Sequence, residues 1–218
     1  MQVLNNTPLV TELEYRFKQV NFVNWISDFA YLNNLNVTNN KITYPKKIAK
    51  GTSEAYHLST GLSSIIHHYT LNNGISFKRN ASTSNGILIQ FNNIEALINN
   101  TNQINSNLFS IQISSIQKSA EVVLIKNTTI QSISIYVENT WLEKNILPGF
   151  MPLIQNIHHL DVVKLMPTKK QMAALQALLR QHSNTIPALA QTKIIEQLKY
   201  LTSDILQYYI AQSLVKNN

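Results

Sequence analysis

No cysteine occurs among the 218 residues, which excludes disulfides and thiolate chemistry together. Glycine is nearly as scarce: five positions, none arranged as a Gly-x-Ser-x-Gly elbow or a phosphate-cradling loop. Charge is thin as well, at 13% of residues against about 25% in ordinary globular chains. With eleven carboxylates, most of them in segments of helical pattern, a paired acid/base site has little material. Apolar runs stay well short of the ~20 residues a membrane helix needs. Glu12, Glu14, Arg16 and Lys18 stand where a signal peptide would carry its apolar core. A soluble, cytoplasmic protein with no membrane partner is expected.

What is present is a 44% apolar fraction, enough for a filled core in a chain of this length. Asparagine takes the place of charge, in runs such as Asn33-Asn34, Asn39-Asn40, Asn72-Asn73 and Asn92-Asn93. The net charge of +7 is dispersed over small groups (Lys46-Lys47 with Lys50, Lys78-Arg79, Lys169-Lys170). Without a basic stripe or interleaved aromatics, this chain is not expected to contact DNA directly.

The rhythm of apolar residues changes near Met166. Before it they mostly alternate with polar ones, the two-residue period of half-buried strands; after it they recur every three or four residues, as on amphipathic helices. Three regions follow. Residues 1–40 read as an N-terminal helical segment, with Leu9, Leu13, Phe17 and Val20 at helical spacing. Residues 41–166 read as short strands: 53–58, 62–71, 75–79, 87–91, 109–113, 122–125 and 133–137. Thr60-Gly61 is a turn signal, and Asn72-Asn73-Gly74 reads as a hairpin turn because Asn and Gly tolerate positive φ. Short helices are expected at 141–144 and 151–157 and an extended piece at 162–166. Residues 167–218 read as a helical pair. Thr168 with Gln171 forms a capping box, the first helix ends near Ser183-Asn184, and Pro187 suits the first turn of the second. Ile194, Leu198, Leu201, Ile205 and Tyr208 then repeat at four, three, four and three, a heptad seam. Such a seam packs on its own domain or pairs two chains; it is the candidate dimer interface. The fold class expected is α+β: an antiparallel barrel or sandwich, preceded by a helical segment and followed by a helical pair.

Chemistry is sparse. His67-His68 and His158-His159 are adjacent pairs, and neighbours on a strand point to opposite faces. No His-x-His pair exists among the six histidines, so neither a metal nor another cofactor is expected, and no catalytic residue is assigned. The apolar strand face is better furnished for binding. His67, Tyr69, Phe77 and Phe91 are the candidate ligand-binding residues, aromatics with polar atoms that line a pocket if they do not simply fill the core.

The stretch Tyr44-Pro45 … Lys50-Gly51 … Leu58-Ser59-Thr60-Gly61-Leu62 … His68-Tyr69-Thr70-Leu71-Asn72 resembles the N-terminal regulatory domain of AraC-type transcription factors. The segment Ala190-Gln191-Thr192-Lys193-Ile194-Ile195-Glu196-Gln197-Leu198 is similar to the linker helix of such domains. The resemblance implies a cupin-like β-barrel that takes a small-molecule effector and helices that pair two subunits. It also implies a carboxy-terminal domain with two helix-turn-helix units, beyond Asn218, that contacts DNA. The metal-binding histidines of enzymatic cupins have no counterpart at the needed spacing. The expected function is therefore effector sensing and homodimerisation within a bacterial regulator. Alternatives are a small barrel enzyme (isomerase or lyase) and a non-catalytic interaction module.

Overall fold

In the computed structural model, residues 13–18, 21–83, 85–96, 110–146, 162–183 and 188–216 are described. Their elements, in chain order, are β1 (Leu13–Lys18), α1 (Phe22–Leu32), β2 (Val37–Thr38), β3 (Lys41–Thr43), β4 (Ala49–Ser59), β5 (Leu62–Leu71), β6 (Ile75–Asn80) and β7 (Gly86–Ala96). There follow β8 (Ser110–Ser115), β9 (Ala120–Leu124), β10 (Thr128–Glu138), α2 (Asn139–Asn145), β11 (Val163–Leu165), α3 (Lys169–Ser183) and α4 (Ala188–Lys216). The expected segment 151–157, Phe109 and Pro187 lie outside the described residues.

The fold is mixed α+β, with two sheets. The larger has eight strands in the order β11-β8-β7-β10-β5-β4-β3-β2, every neighbouring pair antiparallel. The smaller has the order β1-β6-β9, with β1 parallel and β9 antiparallel to β6. Among the described residues no barrel closes, so of the expected barrel or sandwich it is the barrel that is corrected, and two separate sheets stand in its place.

Strand alternation makes the large sheet two-faced. Leu62 and Ile66 of β5, Ile133, Ile135 and Val137 of β10, and Ile87, Ile89 and Phe91 of β7 form one core, against α2, α3 and α4. The opposite face carries Ile65, Tyr69 and Leu71 of β5, Leu88 of β7 and Ile130 and Tyr136 of β10. This second core is completed by α1, Ile75 and Leu124. Gly51 of β4 lies opposite Tyr69 at φ +134°; a Cβ there would overlap the His68 carbonyl oxygen and lie 2.6 Å from Tyr69 Cα. Only glycine permits so close a passage.

Turns follow local chemistry. Asn39 and Asn40 both take left-handed φ (51° and 58°), joining β2 to β3 with a two-residue loop where Asn-Gly is usual. Gly61 at φ +77° joins β4 to β5. Asn21 caps α1, its side chain accepting from Asn24 N at 2.9 Å. Thr168 and Gln171 form the expected capping box at the start of α3. Thr168 Oγ1 accepts from Gln171 N at 3.2 Å, and Gln171 Oε1 accepts from Thr168 N at 2.9 Å.

Three expectations are corrected. Residues 13–18 form a strand, not helix: Leu13, Tyr15 and Phe17 alternate with Glu14, Arg16 and Lys18, and a four-residue spacing of Leu9, Leu13 and Phe17 satisfies a period of two as well. Asn72-Asn73-Gly74 is not a hairpin turn. Both sides of β5 are already taken, by β4 and β10, so β6 crosses to the other sheet. Side chains of Asn72 and Asn73 hold that crossover by donating to the carbonyls of Lys46 and Lys47. The heptad seam is used inside the chain: Ile194, Leu198, Leu201 and Ile205 are buried in the core beneath α4, with Tyr208 packed at its margin. A flat apolar sheet accepts the same stripe that a second helix would.

Leu198→Ala and Ile205→Ala should each lower unfolding stability by about 2–5 kcal/mol. By sedimentation under native conditions both variants should keep the parent's mass, whereas a seam joining two chains would lose it at low protein concentration.

Candidate functional site

A cavity of about 370 Å³ lies between the small sheet, α1 and the outward face of the large sheet, within the size range of small-molecule pockets. Phe17, Phe77, Val122 and Leu124 line it from the small sheet, and Phe22 and Trp25 from α1. Trp25 stacks on Phe29 with centroids 5.1 Å apart, which fixes its ring against the cavity wall.

The floor is polar. Asn92, Ser132, His67 and Ser53 stand opposite one another across β7, β10, β5 and β4, forming one cross-strand row. Gln112, Gln90 and Ser134 form the next row across β8, β7 and β10. All but Ser53 line the cavity. Each can donate and accept, so the floor suits a hydroxyl, amide or carboxyl-bearing ligand.

His67 is held from behind. Its Nδ1 is 2.8 Å from Ser53 Oγ, which is 2.9 Å from the Tyr44 hydroxyl. Trp25 and Tyr69 meet the imidazole edge-on, at 6.1 and 5.8 Å. Burial raises the Tyr44 phenol to about 12, despite the hydrogen bond with Ser53 that works the other way. Burial, and then the neighbouring Tyr44, push Tyr69 well above its ordinary value. Tyr15 and Tyr136 also rise to about 12, chiefly through burial, with Asp28 and Glu138 respectively adding to it.

Arg79 reaches the cavity from β6 and is 7% exposed. Its Nη2 donates to the Ser115 carbonyl at 3.3 Å, while Nε has no acceptor among the described residues. Burial lowers its pKa. Trp25 Nε1 is likewise buried without an acceptor among the described residues. Among the described residues, no aspartate or glutamate lines the cavity.

Of the candidate ligand-binding residues, the structure brings His67, Tyr69 and Phe77 together in this one cavity. Phe91 is corrected: it points to the helical side of the sheet, in the core with Ile89 and Ile133. On β7 the even-numbered residues face the cavity, whereas on β5 the odd-numbered ones do. His68 lies on the face opposite His67, its Nε2 3.4 Å from Gln131 Nε2. Among the described residues no three His, Cys, Asp or Glu gather as a metal site, and His158-His159 lie outside them. Sequence reading missed Phe22, Trp25, Arg79, Gln90, Asn92, Ser132 and Ser134. The polar ones sit at alternate strand positions, which a sequence presents as solvent-facing.

No protein-family model matches the chain, and no curated protein matches it. Among the described residues no helix is long and apolar enough to cross a membrane.

The tyrosine shifts carry a sign. A phenol with a folded pKa near 12 and an unfolded value near 10 keeps its full stabilisation below pH 10 and loses it as pH rises toward 12. Stability should therefore fall between pH 10 and 12 by up to about 1.4 kcal/mol per pH unit for each such phenol. Absorbance of tyrosinate should rise in two phases, the later one coinciding with loss of the circular dichroism signal.

Proposed function

We propose that this chain is the effector-binding portion of a bacterial AraC-type transcriptional regulator, with a small molecule occupying the cavity between the sheets. One observation carries the reading: an aromatic-walled cavity of about 370 Å³ whose floor is a double row of polar side chains, with His67 tethered at Nδ1. Apolar walls with a few convergent polar groups are the usual composition of a small-molecule site. Residues that carry the family resemblance support it too. Tyr44, Gly51 and Tyr69 either line the cavity or brace the strands beneath it.

Under this reading the protein is cytoplasmic, is not an enzyme, and leaves DNA contact to a carboxy-terminal domain. Control of DNA binding requires the effector to favour one of two states, since equal affinity for both shifts nothing. The helix pair rests on the same sheet from behind, so a ligand that moves β5 or β10 meets α3 directly. Homodimerisation, part of the same proposal, would use residues other than the buried seam.

A thermal-shift screen of cellular metabolites should find a stabiliser; at one hundred times Kd the gain is about 2.7 kcal/mol. Leu88→Trp, which fills the cavity, should abolish the shift while circular dichroism stays unchanged. A ligand that stabilises Leu88→Trp equally would overturn the assignment of the cavity. The gene checks the regulator: a helix-turn-helix domain is expected directly after Asn218, and a stop codon there would count against it.

A further inference from the structure

We infer that the ligand of this cavity is an organic monocarboxylate with a ring-bearing apolar body, its carboxylate anchored by Arg79. The inference rests on the cavity being a binding site, as proposed above, and adds the chemical class of what enters it.

A buried guanidinium is costly unless an anion pairs with it. Among the described residues Arg79 has one hydrogen bond, a long one of 3.3 Å to the Ser115 carbonyl, and an Nε with no acceptor. The carboxylate nearest along the sheet is Glu121, and it is committed elsewhere. It pairs with Lys78 at 3.4 Å and accepts from Ser76 Oγ at 3.3 Å, side chains that alternate to the opposite face of β6. The cation is thus left to the cavity.

Arginine's planar fork matches a carboxylate in two parallel hydrogen bonds. No lysine lines the cavity among the described residues, so a single negative charge is the natural partner rather than a phosphate dianion. The rest of the wall specifies the body. Phe17, Phe22, Trp25, Tyr69 and Phe77 surround the space, and aromatic faces and edges favour a ring over a flexible polar chain. A polyol would leave these surfaces wet. Trp25 Nε1 offers a second buried donor.

The test uses the full chain and matched probes. 3-Phenylpropionate and indole-3-propionate are compared with their primary amides, which keep the shape and remove the charge, by calorimetry and thermal shift. The acids should bind at least about tenfold more tightly than the amides, the difference expected when a charge-assisted hydrogen bond is lost. In Arg79→Met the preference should vanish, and without ligand this variant should be as stable as the parent or more so, because it removes an uncompensated charge. A structural role for Arg79 predicts the opposite: a destabilised variant that still prefers acids, which would overturn the inference. Equal binding of acids and amides by the parent chain would also overturn it, while leaving the cavity a binding site. Failure of both series at millimolar concentration overturns the ligand class. If the metabolite screen then yields a cavity ligand of other chemistry the functional reading survives, and if it yields none that reading falls too.

Discussion

The antiparallel register between β5 and β10 decides what every layer of the molecule contains. It sets Ile133 against Ile66 and Ile135 against Ser64 on the helical side, and Ser132 against His67 and Ser134 against Ile65 on the cavity side. A slip of one residue would exchange the two sets, since side chains alternate with a period of two. Polar floor residues would then enter the helical core, and isoleucines would fill the cavity. Burial on both faces makes such a slip costly twice over. The same register places β7 and β4 through their pairing with β10 and β5, so the lining of the cavity follows from it.

Much of this architecture could be read from the chain, and the failures share a cause. Strands β5, β6, β8 and β10 stand close to where alternation put them, β9 close to a short apolar run, and the Thr168–Gln171 box follows local rules. These are statements about one segment at a time. Phe91 required a comparison between strands, and parity within β7 says nothing about parity within β5 until register is known. The spacing of Ile194, Leu198, Leu201 and Ile205 describes a stripe, whereas what covers it depends on a sheet formed far upstream. Arg79 alternates correctly with Lys78 and Ser76, yet nothing local reveals that its side of the strand is enclosed.

The same composition shapes both the turns and the candidate site. A chain poor in glycine uses asparagine for left-handed backbone: among the described residues, Asn34, Asn39, Asn40 and Asn127 are the non-glycine positions with positive φ. Uncharged polar side chains also make the cavity floor, where Gln90, Asn92, Gln112, Ser132 and Ser134 can reverse donor and acceptor roles without a charge penalty. Against that neutral background Arg79 contributes the fixed charge, and its poor local satisfaction is the pattern expected where binding is favoured over stability.

The order of strands has a further consequence, for synthesis on the ribosome. Thr70 and Thr129, hydrogen-bonded neighbours at 3.0 Å, are 59 residues apart in the chain, so the central pair cannot close until β10 has emerged. Pairings this distant form slowly. At about 5–20 residues per second, the interval between translation of Glu138 and of α4 lasts seconds, during which the oily underside of the sheet lacks its lid. The exposure ends only when α3 and α4, which pack on that face, have been made.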